Sequence, residues 1–134
     1  MPLKKFSGSC HCGAVRFTAR ADLSLGTVRC NCTFCRKIRS WAVVVPPEGF
    51  ELFSGAEALT EYRFGAKQEQ HLFCMHCGVR PFGFIQSPRS GNFYAVNMGC
   101  LDNATVEELA QAPVRYVDGL NDNWDVPPLE VRHF

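Results

Sequence analysis

Between residues 4 and 94 the apolar positions come in short bursts of Val, Phe, Leu and Ile, each cut off within a few residues by Gly, Pro or a polar cluster. That punctuation belongs to an antiparallel β domain, in which strands are short and tight turns need Gly and Pro. Residues 14–19 have the clearest period of two: Val15, Phe17 and Ala19 alternate with Arg16 and Thr18, as in a strand with one buried face. Further strands are predicted at 26–30, 41–45, 49–53, 59–64, 68–73, 81–85 and 92–97.

Helical signals are few. Thr105 followed three places on by Glu108 is a capping-box pattern, and Glu107 adds favourable charge in the first turn, so one short helix is predicted over 105–111. Pro113 ends it. A turn of helix is also expected within 32–39. Residues 117–134 contain Asp118-Gly119, Asn121-Asp122-Asn123 and Pro127-Pro128 and are expected to be irregular, with Trp124 docked. No repeat, linker or low-complexity stretch interrupts the chain, which is read as one mainly β domain over 1–134.

Composition agrees. With 134 residues, 46% hydrophobic and 12% aromatic, there is material for one core. A net charge of +1, from 14 basic and 13 acidic residues, lacks the basic footprint of a non-specific nucleic-acid binder, so nucleic acid is not an expected partner. No apolar run approaches the roughly 20 residues of a membrane span, and none follows Lys4-Lys5 as a secretory signal would require. A cytoplasmic, reducing location is expected, where the eight cysteines become metal ligands or catalytic groups rather than disulfides.

Their spacing is specific. Cys10 and Cys12 form CxC, Cys30, Cys32 and Cys35 form CxCxxC, Cys74 and Cys77 form CxxC, and Cys100 stands alone. Residues i and i+2 of a strand share a face, and the CxxC turn folds two thiolates round one ion. Gly13 and Gly78 directly follow such pairs and suit the unusual backbone of a metal knuckle. Zinc fits clustered thiolates in a cytosolic protein, although an iron–sulfur cluster would use the same ligands. Seven clustered sulfurs do not divide into two sets of four. Cys30, Cys32 and Cys35 already converge, which leaves Cys10, Cys12, Cys74 and Cys77 to complete one another as a closed site. Closed zinc sites are structural, and a site with an open position is where chemistry occurs.

Other residues are assigned more modest parts. Cys100 is read as a buried small hydrophobe. His11, His71 and His76 adjoin the cysteines as solvent-facing or supporting residues rather than ligands. Arg36, Lys37, Arg80 and Arg89 are candidates to receive substrate carboxylates. No Ser/His/Asp arrangement, phosphate loop or carboxylate pair competes.

The segments Gly8-Ser9-Cys10-His11-Cys12-Gly13-Ala14-Val15-Arg16-Phe17, Cys30-Asn31-Cys32-Thr33-Phe34-Cys35-Arg36-Lys37 and Phe73-Cys74-Met75-His76-Cys77-Gly78 resemble the glutathione-dependent formaldehyde-activating enzyme family, which includes centromere protein V. Tyr62-Arg63-Phe64-Gly65, Ser87-Pro88-Arg89-Ser90 and Cys100-Leu101-Asp102 resemble the centromere protein V branch in particular. The resemblance implies a β-tent-like fold of antiparallel sheets, a structural zinc at Cys10, Cys12, Cys74 and Cys77, and a second zinc at Cys30, Cys32 and Cys35. It also implies glutathione as thiol substrate and the joining of formaldehyde to it as S-hydroxymethylglutathione, formally a carbon–sulfur lyase reaction in reverse. Gly83 stands where many relatives have an aromatic residue.

On that basis two zinc ions per chain are expected, with the three-sulfur ion holding an incoming thiol as thiolate. Three anionic sulfurs offset the ion's charge and weaken the competing role of polarising a carbonyl. A non-enzymatic binding module with both metals structural, Cys100 or a histidine closing the second shell, is the alternative. A redox enzyme using Cys100 is a third reading, disfavoured because Cys100 has no adjacent basic residue in sequence to lower its pKa.

Overall fold

A computed structural model describes residues 3–65 and 69–134. Strands β1 (Lys4–Ser9), β2 (Arg16–Ala21), β3 (Thr27–Cys30), β4 (Ala42–Val45), β5 (Phe50–Ser54), β6 (Leu59–Tyr62), β7 (Glu69–Cys74), β8 (Phe82–Ser87), β9 (Gly91–Asn97) and β10 (Val114–Val117) are interspersed with helices α1 (Thr33–Ile38) and α2 (Val106–Gln111). They form a three-stranded sheet, β1-β2-β5, and a seven-stranded sheet, β10-β3-β4-β9-β8-β7-β6. The chain is mainly β, as its punctuation predicts.

The core lies where the two sheets face each other. Phe17 of β2 stacks on Phe50 of β5 with ring centroids 5.5 Å apart and meets Phe82 of β8 edge-on at 5.9 Å. Phe50 in turn lies 4.0 Å from Tyr94 of β9. Phe6, Val15, Val45, Val96 and Met98 complete the interior, each fully buried side chain contributing about 1.5–3 kcal/mol of transfer free energy. Gly8 sits opposite Phe17 in the β1–β2 register, and a Cβ there would run into the Phe17 ring. The absent side chain on β1 is therefore the space that the largest residue of β2 fills.

Helix α2 has the predicted cap: Glu108 N donates to Thr105 Oγ1 and Thr105 N to Glu108 Oε1, both at 3.0 Å. Lys4 Nζ reaches the same carboxylate at 3.0 Å, joining the first strand to this helix. Helix α1 occupies the stretch where a turn of helix is expected.

Two strands depart from the sequence reading. β1 is not among the predicted segments, because Phe6 is its only large apolar residue and its other inward position is Gly8. β10 is also missed, and it pairs in parallel with β3, unlike the other strand pairs described, which are antiparallel. Gln68, where the predicted strand at 68–73 begins, lies outside the described residues; β7 is described from Glu69. After β10 the chain makes a 3-10 turn at Gly119–Asn121 and runs on in turns and bends to Phe134, whose buried ring meets Tyr116 edge-on at 5.3 Å.

Candidate metal centres

The first cluster joins the β1–β2 connection to the end of β7. Cys10 and Cys12 sit in a turn closed by Gly13 N donating to Cys10 O at 3.2 Å. Cys74 and Cys77 sit in a second turn closed by Gly78 N donating to Cys74 O at 2.8 Å. Both glycines are in the left-handed region, with φ of 81° and 77°, as the knuckle reading predicts. The four Sγ atoms lie within 4.8 Å of one another, and the Cys10–Cys12 and Cys12–Cys74 sulfur pairs are each 3.7 Å apart. A tetrahedron with metal–sulfur bonds near 2.3 Å has sulfurs about 3.8 Å apart, so this donor set fits zinc.

Backbone amides support these sulfurs. Val15 N donates to Cys10 Sγ at 3.3 Å and His76 N to Cys74 Sγ at 3.4 Å. Backbone bonds from Cys12 and then Val79 bring the Cys77 thiol down to about 6, poising it as a thiolate at neutral pH. Burial works against ionisation of Cys10, but the Val15 amide and the neighbouring Cys12 and Cys74 thiols outweigh it, and its pKa falls.

The second cluster lies where β3 runs into α1. Cys30 ends the strand, Cys32 caps the helix and Cys35 lies in its first turn, again with all three Sγ atoms within 4.8 Å of one another. Cys32 N donates to Cys30 Sγ at 3.4 Å and Cys35 N to Cys32 Sγ at 3.3 Å, so the CxCxxC turn is organised round its own sulfurs. Bonds from the Cys30 and Cys35 side chains draw the Cys32 thiol down to about 2, while Cys30 and Cys35 are pushed up as proton holders. One thiolate shared among three convergent sulfurs is a donor set ready for a cation.

Around it stands an aromatic group that sequence reasoning did not assemble. The Phe34 ring lies 4.0 Å from that of His71 and 5.7 Å from that of Tyr62, and Phe64 packs on His71 at 5.4 Å. His71 is 3% exposed and therefore a packed residue rather than a solvent-facing one, whereas His11 and His76 are exposed. Arg80 Nη2 donates to His71 Nδ1 at 3.3 Å, and its Nε is buried without a hydrogen-bond partner among the described residues. Burial lowers the Arg80 pKa, opposed first by Cys35 and then by Glu69 and Cys32. A Cβ on Gly83 would meet the tip of the Arg80 guanidinium, so a side chain there would require Arg80 to move.

The four basic candidates separate in space. Arg80 lines a cavity of about 220 Å³ with Arg39, Ser40, Trp41, Gly78 and Asn97, between the end of α1 and the loop after Cys77. Arg36 and Lys37 are exposed in the last turn of α1. Arg89 sits at the β8–β9 turn and pairs with Asp125. Cys100 is buried, outside both clusters, and burial followed by the Asp102 charge pushes its thiol up to about 11. That is the reverse of what a nucleophile requires.

A sequence model of the glutathione-dependent formaldehyde-activating enzyme family matches residues 5–117, which include both clusters. The chain belongs to this family. The glutathione-dependent formaldehyde-activating enzyme match extends to shape: the crystal structure of a Rhodobacter sphaeroides protein is 31% identical, covers 81% of this chain and 99% of its own, and superposes with a TM-score of 0.70. Membership implies glutathione-dependent activation of formaldehyde, and the two cysteine clusters are able to hold metal ions. Among the described residues no helix is long and apolar enough to cross a membrane.

Proposed function

We propose that the protein is a zinc-dependent carbon–sulfur lyase-type enzyme, cytoplasmic, acting on the adduct of a glutathione-like thiol with a small aldehyde. In the synthetic direction the thiol sulfur bonds to the aldehyde carbon, the C=O π bond opens, and the thiol proton ends on the resulting hydroxyl. Cys10, Cys12, Cys74 and Cys77 hold one zinc and fasten the two sheets. Cys30, Cys32 and Cys35 hold the second with one position left for substrate. A zinc ion bound there keeps a thiol ligand deprotonated at neutral pH, where a free thiol titrates near ~8.5.

The chain's own residues then bind and orient. Arg80 lines the cavity at the end of α1 and has guanidinium donors beyond the one given to His71, so it is the leading receiver of a substrate carboxylate. Arg36 and Lys37 on the outer face of α1 assist it, and Arg89, already paired with Asp125, is the weakest of the four candidates. The observation that carries this reading is a count: three convergent sulfurs at the second cluster against four at the first.

The test joins metal analysis to exchange NMR of a formaldehyde–glutathione mixture. The wild type is expected to contain about two zinc per chain and to accelerate adduct formation. Cys35→Ser is expected to lose one zinc and the acceleration, and Cys100→Ser to keep both. A protein with one zinc and three freely reactive thiols, or one that leaves the exchange rate unchanged, would falsify the proposal. Activity that vanishes in Cys100→Ser would move the chemistry to that thiol.

A further inference from the structure

The stretch after β10 lies beyond the family match, which ends at residue 117, yet it presses directly on the three-cysteine cluster. A Cβ built on Gly119 would stand 2.5 Å from Cys30 Sγ, 2.9 Å from Trp124 Cη2 and 3.2 Å from Cys32 Cβ. Gly119 is not in the left-handed region, so its backbone angles do not ask for glycine; the space does. The Cys30 sulfur and the edge of the Trp124 indole therefore flank one point in contact with the loop backbone.

The loop is fastened from beneath by the residue between two of the cysteines. Asn31 Nδ2 donates to Asp118 Oδ1 and Leu120 N donates to Asn31 Oδ1, both at 3.0 Å. Asn31 and Asp118 are each 7% exposed, and Asp118 Oδ2 takes a further bond from Asn121 Nδ2 at 2.9 Å. Asn123 N donates to Asp118 O at 2.9 Å, closing the turn, and Trp124 Nε1 donates to Asp122 Oδ1 at 2.7 Å, fixing the indole. A buried, hydrogen-bonded network of this kind holds a wall in register with the sulfurs beside it.

We infer that residues 118–124 form a selectivity wall of the three-cysteine centre, in which Gly119 positions Cys30 Sγ and Trp124 excludes thiols branched at the sulfur-bearing carbon. The ligand class is primary thiols, R–CH2–SH, whose slim methylene passes the indole edge where a quaternary carbon does not. This rests on the proposed function in one respect, that a thiol reaches a metal held by Cys30, Cys32 and Cys35.

The full chain loaded with Co²⁺ tests it, through the cobalt–thiolate absorption bands. In the wild type, 2-mercaptoethanol is expected to perturb the bands and penicillamine, a tertiary thiol, to do so at least tenfold more weakly. Trp124→Ala is expected to shrink that ratio at least fivefold, and Trp124→Phe to give an intermediate value. Gly119→Ala is expected to weaken cobalt binding at the three-cysteine centre at least tenfold, leaving that of the four-cysteine cluster unchanged. A ratio in Trp124→Ala equal to that of the wild type overturns the selectivity. Gly119→Ala with two cobalt ions bound at wild-type affinity overturns the positioning. A wild-type spectrum that no thiol perturbs overturns the proposed function and the wall with it, and is recognised before any variant is made.

Discussion

Arg80 Nη2 and His71 Nδ1 share a hydrogen bond of 3.3 Å that ties the loop after Cys77 to the middle of β7. Because a guanidinium can only donate, His71 accepts this bond at Nδ1 and has Nε2 as its other hydrogen-bonding position. Glu69 Oε2 lies 3.4 Å from that Nε2 but out of hydrogen-bond alignment. The pair leaves Arg80 held at Nη2, with its buried Nε unpartnered among the described residues, beside Phe34 with its Cζ 5.8 Å from the ring centroid.

If Arg80 receives a carboxylate at the cavity it lines, its removal acts on binding more than on chemistry. Arg80→Ala is expected to raise KM for glutathione about tenfold, the loss of a charge-assisted hydrogen bond of about 1.5 kcal/mol, with a smaller change in kcat. Cysteamine, which has no carboxylate, should show no such rise. Steady-state kinetics with the two thiols check this, and an equal loss for both would remove Arg80 from substrate binding.

The two clusters should differ in what they hold together. Cys10 and Cys12 precede β2 of the small sheet, while Cys74 and Cys77 close β7 of the large one, so this cluster spans both sheets. Structural zinc supplies on the order of 10 kcal/mol of apparent folding free energy. Cys77→Ser is expected to lose one metal per chain and to lower the unfolding temperature by at least about 15 °C. Cys35→Ser should also lose one metal but shift the transition far less, since its three cysteines lie within six consecutive residues. Metal analysis and thermal unfolding of the two variants make the comparison, and equal shifts would contradict it.

Glu108 connects stability to pH. Its carboxyl is held below its ordinary 4.5, first by the Thr105 backbone amide and then by Lys4. A carboxylate whose folded pKa is depressed stabilises the native state fully above its unfolded value, and the contribution fades as pH falls through the folded one. Glu108→Gln is therefore expected to lower the unfolding temperature at pH 7, and the gap between the two proteins should narrow as pH falls below 4.5 and through the depressed folded pKa. A gap that stays constant on acidification would assign the effect to packing.

What was legible in the sequence was local. The cysteine spacings specify turns of a few residues, and β2, β4, β8 and β9 signal themselves by apolar runs between punctuating residues. Thr105 and Glu108 announce α2 because a capping box is a four-residue device. What escaped depends on distant partners. β1 has one large apolar residue, and its identity as a strand comes from Gly8 receiving the Phe17 ring. Val114–Val117 is four residues long, and only its pairing with β3 makes it a strand. Gly119 looks like an ordinary turn glycine beside Asp118, and nothing local reveals that a sulfur some ninety positions earlier occupies the space of its missing side chain.

The parallel pairing of β10 with β3 has a consequence for biosynthesis. Val117 is the register partner of Cys30, so the edge on which the CxCxxC turn rests is completed by residues more than eighty positions later in the chain. During translation the sulfurs of Cys30, Cys32 and Cys35 leave the ribosome well before their neighbouring strand does. The four-cysteine cluster, whose last member is Cys77, has all its ligands synthesised some forty residues sooner than β10 is finished. In the growing chain, the four cysteines that bridge the two sheets can therefore meet before the strand that flanks the CxCxxC turn has been made.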